Sequence, residues 1–487
     1  MDFRDVAMAV AAAVAGGLAL AAAPARSFAA PLDEPHVGGM VFSGPTSGDI
    51  TSIYWNPAAL GLVGGARITV SGTLRVSRAA IDGATGPASA VTVGVPVQTF
   101  IDPVKTALGP GGFFGAVLGG DRFTLAAAVF TPFHDRESFR AGPSPDLDGP
   151  TRYHRLDADL RHTTVLPALA IRIAGDFRIG FAPGFLFSTG RLRFDEDVAA
   201  AGGGFGLPKN AARYDLSSGQ GLFDSSFSFT LAGGLYYRWQ SVEIGASYSS
   251  RPITDVDGVR IRAGKTTVER PAIGGGGALP CPAYQPEDCT YAEIVYRLPD
   301  VTVVGVGWRP TLNLKLEAMA RWLTFSRHDR MDIRLSGVTL RFSGLPDHIV
   351  LYRGFKDVVD ARIRASYTPT RRLRLGLALR AETSAVPRRS VNPAAIDGFK
   401  LQPIGLAELR AATWLVLTAG YGVTLMPRVN VTESRFDPSL AAACEATGDD
   451  LRSPACQARN QGLARPSANG SYRRTTHEMG FSMTAEF

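Results

Sequence analysis

The chain has 487 residues, room for two or three soluble domains or one large barrel, and its 51 basic and 44 acidic side chains leave a formal charge of +7. Mean hydropathy is only +0.05, because the apolar residues are dispersed, and beyond the N-terminus no run approaches the ~18 apolar residues of a membrane helix, which excludes a helical membrane protein. The two charge signs are interspersed, so the positive balance is no nucleic-acid footprint; it reads as a polar interior with charged loops.

In chain order, Val6 to Ala23 is almost wholly Ala, Val, Gly, Leu and Met, followed by Pro24 and Ser27-Phe28-Ala29. This is the pattern of a signal peptide over 1–29 with cleavage after Ala29, although Asp2 and Asp5 offset Arg4 in its first residues. An exported chain without further helical spans can enter a membrane only as a closed barrel of strands. Residues 30–65 fit no barrel strand, and Asn56-Pro57 within them is a turn-starting pair.

From Arg67 onward one unit repeats: an alternating strand, a tight turn, a second alternating strand, then a long polar loop. Tight turns are expected at Gly119-Gly120-Asp121, Gly175-Asp176, Trp239-Gln240-Ser241, Pro310-Thr311, Pro369-Thr370 and near Ala411-Ala412. About fourteen strands result, at 66–79, 111–118, 122–133, 157–174, 177–193, 224–238, 241–251, 293–308, 313–326, 355–368, 371–383, 399–410, 412–426 and 470–487. Met331 to Phe342 also alternates, but admitting it would break the even parity, so it is assigned to a hairpin in an outer loop. One face of each strand is apolar and the other carries both charge signs, as Val359, Ala361, Ile363 and Ala365 against Asp360, Arg362 and Arg364 illustrate.

Alternation alone does not say which face is inside, so a secreted β-sandwich remains open. Two features favour an all-β transmembrane antiparallel barrel spanning 66–487 in a bacterial outer membrane. The final strand runs Met479, Phe481, Met483, Ala485 to a terminal Phe487, and aromatic residues gather near strand ends at Trp308, Trp322, Tyr236, Tyr237, Tyr367 and Trp414. Placing both termini in the periplasm puts every tight turn there and every long loop outside. In an exported chain, Cys281 with Cys289 and Cys444 with Cys456 read as two loop-pinning disulfides, since neither pair has the CxxC spacing of a thiolate metal site. Loop 194–223 is apolar enough to serve as a capture surface or to pack on its neighbours.

The stretch Gly38 to Gly65, with Asn56-Pro57-Ala58 preceded by Asp49 and a Ser/Thr-rich run, resembles the N-terminal hatch of the FadL family of outer-membrane transporters for long-chain fatty acids and other hydrophobic compounds. Further matches are Leu298-Pro299-Asp300, Tyr367-Thr-Pro followed by Leu373-Arg374-Leu375-Gly376, Val386-Pro387, Gly420-Tyr421, and Gly470-Ser-Tyr472 opening the last strand. The resemblance implies a fourteen-stranded monomeric barrel in outer-membrane lipid, with the hatch at 30–65 plugging its lumen. It also implies that a hydrophobic molecule, caught outside, leaves sideways through a gap beside a kinked third strand.

If the ligand is a fatty acid, its carboxylate should meet a lumen cation, because a buried anion without a partner is costly. Arg362, Arg364, Arg374 and Arg380 sit on neighbouring strands and are the candidates, unless Asp360 and other lumen acids neutralise them. The seven histidines are scattered and no GxSxG elbow or phosphate loop appears, so neither metal nor cofactor is expected and an enzyme is not indicated. The rivals are an open diffusion porin, which would need no plug, and an outer-membrane phospholipase, which would need a serine and a histidine brought together across strands.

Overall fold

The computed structural model describes residues 37, 40, 42–83, 100–101, 105–108, 112–138, 157–196, 216–220, 223–224, 226–253, 259–269, 290–336, 348–392, 395–434 and 468–487. Among these, fourteen wall strands follow one another in chain order: β1 (Gly65–Gly83), β2 (Phe113–Gly119), β3 (Phe123–Ser138), β4 (Asp157–Ala174), β5 (Phe177–Glu196), β6 (Ser226–Trp239) and β7 (Val242–Ser249). Then come β8 (Val301–Trp308), β9 (Leu314–Leu323), β10 (Val358–Thr370), β11 (Leu373–Glu382), β12 (Lys400–Ala412), β13 (Leu415–Val431) and β14 (Gly470–Glu486). Each pairs antiparallel with its sequence neighbour, and the ring closes where β14 meets β1 from Arg67↔Glu486 to Gly83↔Gly470.

Burial decides the question that alternation left open. Along β10, Asp360, Arg364 and Ser366 are buried, while Val359, Ile363 and Tyr367 are exposed. Leu377 on β11 is 72% exposed and Arg321 on β9 is 0% exposed, the reverse of a soluble protein. A closed ring with charges inside and a continuous apolar outer face is an outer-membrane barrel, because lipid solvates that face and closure leaves no sheet edge. Trp308, Trp322, Tyr237, Tyr367 and Trp414 all face outward, as interfacial aromatics do, but Tyr236 does not: it points into the lumen and is 1% exposed.

The short turns share the end where Gly65 pairs with Gly119 and where Phe487 N donates to Ala66 O. The turn between β4 and β5 has only two residues, and Gly175 adopts the left-handed backbone (φ +51°) such a tight connection needs. Two turns lie beyond their expected places, at Arg371-Arg372 and Thr413-Trp414. The expected strand 293–308 is two elements. Leu298-Pro299-Asp300 breaks it, since proline cannot donate to a ladder, and Thr290–Tyr296 leaves the wall. It joins Val259–Glu269, Arg330–Ser336 and His348–Tyr352 in a small sheet at the loop end, where Arg330–Ser336 pairs with His348–Tyr352, so the hairpin assigned to Met331–Phe342 takes its second strand from beyond Phe342. The signal-peptide region, all four cysteines and most of the apolar 194–223 loop lie outside the described residues.

Candidate functional site

The segment Phe42 to Gly64 packs inside the ring. It contains a single helical turn α1 (Ser52–Trp55) and a 3-10 helix over Pro57–Leu62, joined by Asn56. Asn56 is wholly buried and its side chain uses both ends: Oδ1 accepts from Ala58 N (3.1 Å), capping the 3-10 helix, and Nδ2 donates to Pro45 O (2.8 Å) and Leu235 O (2.9 Å) on β6. Proline at the first helical position costs nothing there, because that N–H would have no intrahelical partner. The wall comes close to the backbone of this turn. Gly180 faces Ala58 so closely that a Cβ on the glycine would land on the Ala58 backbone nitrogen. Gly234, paired with Gly180, abuts Asn56 Oδ1, and Gly245, paired with Gly305, abuts Pro45 O.

The two sides of the lumen hold this segment differently. Towards β7 to β11 the hold is ionic. Ser43 O accepts from Arg362 and from Arg364 (2.8 Å), Lys315 Nζ donates to Thr46 O (2.8 Å), and Glu317 accepts from the Thr46 hydroxyl while pairing with Arg364 (3.0 Å). Deeper in the same wall, Asp360 lies between Arg321 (2.8 Å) and Arg380 (2.8 Å). Towards β2 to β6 the contact is mainly apolar: Ile50, Ile53, Leu60 and Val63 pack on Phe113, Val117, Phe130 and Leu166 together with inward alanines 126, 128, 168, 170, 182 and 232, and besides the Asn56 bond to Leu235 O, Arg178 Nε donates to Gly61 O (3.2 Å).

The third wall strand is irregular on this apolar side. Phe130 pairs with Thr164 and Phe133 with His162, so Thr131 and Pro132 together oppose Thr163, a β-bulge with no N–H from the proline. β2 pairs with β3 only up to Phe130, and beyond that point β3 has no β2 partner among the described residues. Phe130, Phe113 and Tyr54 close the spot, with centroid separations of 5.9 Å for Phe113–Phe130 and 5.6 Å for Tyr54–Phe130.

On the loop side of the packed segment lies a second apolar cluster that includes Trp55, Phe133, Leu160, Leu186, Tyr296 and Phe355. Within it His162 Nδ1 meets Ser188 Oγ at 2.7 Å and Nε2 meets Tyr296 OH at 2.8 Å. This brings a serine and a histidine together across strands, but all three side chains are at most 1% exposed, so the group ties β4 and β5 to the outer sheet and presents no nucleophile. At the same end Asp300 accepts from Tyr248 OH (3.0 Å), Arg251 N (2.9 Å) and Thr324 Oγ1 (3.2 Å), clamping β7 and β8 to the segment leaving β9. On the turn side, a cavity of about 490 Å³ is lined by Glu243, Arg309, Arg374, Glu408, Arg410 and Glu486, among others, and is predominantly polar.

Of the four candidate arginines, all face the lumen. Arg380 is taken up by Asp360 and Glu382, and Arg364 by Glu317 and Ser43. Arg374 lies 4.0 Å over the Phe42 ring with Glu408 at 3.9 Å, and Arg362 reaches Ser43 O with Glu317 at 3.7 Å. Sequence reasoning missed Glu317, the carboxylate that organises Lys315, Arg362 and Arg364, and missed the lumen glycines. The signals were present as an acid between apolar strand neighbours and as Gly180, Gly234, Gly245 and Gly305 at inward positions.

Residues 13–397 match the family model described as outer membrane protein transport protein (OMPP1/FadL/TodX). The fold is similar to a solved Pseudomonas aeruginosa FadL homologue, with a TM-score of 0.69 and 14% identity over 94% of this chain and 99% of that one. It is also similar to the CymD monoaromatic hydrocarbon channel (0.59; 12%; 95% and 99%) and to the Pseudomonas putida toluene transporter TodX (0.57; 11%; 92% and 96%). No curated protein matches the sequence. At these identities the structural likeness is one of fold.

Proposed function

Because this chain belongs to the OMPP1/FadL/TodX family of outer-membrane transport proteins for hydrophobic compounds, we propose that its substrates are long-chain fatty acids, that residues 30–65 act as its hatch, and that the substrate leaves sideways through the wall at β3. The carrying observation is the asymmetry of the lumen. An alanine- and phenylalanine-lined side runs to the bulge at Thr131-Pro132, whereas the straight path ends in a charged vestibule. An alkyl chain gains ~0.8 kcal/mol per buried CH2 and would forfeit it by crossing a wet, charged space, so the apolar side is the downhill route. The packed lumen also argues against a freely open porin, since Asn56, Ala58 and Leu60 are fully buried within the ring.

The test is uptake of labelled oleate by cells whose only transporter of this kind is the present protein. Saturable uptake above the empty-vector level is expected. Steady ion conductance in planar bilayers, with no uptake of oleate or of a hydrocarbon, would replace transport by a porin. Deleting 30–65 should raise conductance sharply if that segment is a hatch.

A further inference from the structure

Several buried polar atoms among the described residues lack a hydrogen-bond partner, and two of them, both donors, sit on the neighbouring side chains Trp55 and Arg362. Trp55 ends α1 at the loop-side surface of the packed segment, is 1% exposed, and belongs to the apolar cluster with Phe133, Leu160 and Tyr296. The guanidinium carbons of Arg321 and Arg362 lie 5.5 and 5.3 Å from its ring centroid. Among the described residues, neither Trp55 Nε1 nor Arg362 Nε has a hydrogen-bond partner. A buried donor without an acceptor is rare in native proteins, and two on neighbouring side chains need an explanation.

We propose that Trp55 Nε1 and Arg362 Nε receive the oxygen end of the transported molecule, a carboxylate in preference to a neutral group. This rests on the transport reading above and deepens it by selecting one of the four arginines and adding an unforeseen tryptophan. The charge pattern favours an anion. Glu317 serves Arg364 at 3.0 Å but Arg362 at only 3.7 Å, so Arg362 is the less neutralised of the two. Trp55 supplies a neutral donor against the apolar cluster, where an alkyl tail can remain. The site is also coupled to the hatch. Arg362 and Arg364 both hold Ser43 O, so a carboxylate that draws Arg362 towards Trp55 removes one of the two bonds restraining that turn.

The test compares oleate with hexadecane uptake in the wild type, in Trp55→Phe, which keeps the ring and removes the donor, and in Arg362→Lys, which keeps the charge and removes Nε. The oleate-to-hexadecane ratio should fall about tenfold in each, the effect expected for one hydrogen bond to a charged acceptor. In the wild type, the indole N–H resonance of Trp55 in selectively labelled protein should move on titration with oleate and stay put with hexadecane. An unchanged ratio, whether uptake of both falls together or of neither, overturns the proposal, as does an indole resonance indifferent to oleate. A wild type that carries hexadecane but not oleate overturns it while leaving hydrophobic transport intact. One that carries neither removes the transport reading and this inference with it.

Discussion

A close approach between the wall and the backbone of the inner segment supports a sharp test, Gly180→Ala. A Cβ built at Gly180 falls within 3.0 Å of three backbone atoms of Pro57 and Ala58, where ordinary contact is 3.4–4 Å. None of these atoms can rotate aside, so the Pro57-Ala58 peptide must retreat by roughly 1 Å. A retreat of that size strains the 2.9 Å bond from Asn56 Nδ2 to Leu235 O. Overpacking of this kind costs about 1–3 kcal/mol, and a lost hydrogen bond about 1 kcal/mol more. The hatch is therefore weakened by roughly 2–4 kcal/mol, which shifts its closed-to-open ratio at least ~30-fold. The lipid-facing side of β5 is untouched, so heat-modifiable gel migration should remain that of a folded barrel. Planar-bilayer conductance and sensitivity to a large hydrophilic antibiotic should rise. Gly72→Ala and Gly405→Ala are matched controls, because an added Cβ meets nothing within 4 Å at either position. A folded Gly180→Ala barrel with wild-type conductance would refute the reasoning.

Asn56→Ala removes a cap and two bonds to Pro45 and Leu235, and should lower oleate uptake about tenfold with the barrel still heat-modifiable; normal uptake would leave Asn56 as a loop stabiliser only. Glu317→Gln leaves Arg364 short of a carboxylate while Lys315 keeps Glu243, a loss of roughly 3–5 kcal/mol for a broken buried pair, and hydrogen exchange across residues 43–51 should accelerate while the wall stays protected. Pro132→Ala restores an N–H to the β3 bulge and should lower uptake without changing ion conductance; unaltered uptake would move the exit elsewhere. Mass spectrometry of a non-reduced digest should recover Cys281 linked to Cys289 and Cys444 linked to Cys456, and free thiols or crossed pairs would discard both bridges.

The wall was legible in the sequence because lipid on one face and charge on the other impose a period of two, residue by residue. Val359 to Ala365 and Leu373 to Leu379 each keep that period without a slip, and both are wall strands. The pattern fails where another constraint intervenes. Pro299 ends the run that seemed continuous from 293 to 308, and Tyr236 looks like a girdle residue until its parity beside the outward Tyr237 is considered. The lumen was less legible. Cations and acids on β9 to β11 could be assigned to the interior, but their partners depend on strand register and on where the inner segment sits. Glu317 faces Arg364 because their strands pair at that residue, and it reaches Thr46 across 271 positions of sequence. Spacing within one strand carries no trace of either relation.

If residues 30–65 act as the hatch proposed above, the division of the lumen gives that segment a preferred direction of yielding. On the β7 to β11 side it is held by directional bonds to charged groups, and moving a backbone carbonyl such as Ser43 O away from Arg364 takes one acceptor from a buried cation that Glu317 still pairs. On the β2 to β4 side it rests on alanine methyl groups and phenyl rings, which an incoming alkyl chain can replace with similar contacts, while β5 and β6 add bonds from Arg178 to Gly61 O and from Asn56 to Leu235 O. A ligand therefore opposes little when it wedges between the hatch and β3, and much when it tries to part the hatch from β9 and β10. On the same side β3 bulges and, among the described residues, has no β2 partner beyond Phe130, so the proposed hatch movement and the proposed lateral exit would share one side of the barrel. That coincidence would tie the replaceable apolar contacts of the inner segment to the lateral route proposed above. It also accounts for an inward row of alanines facing an inward row of arginines in one lumen.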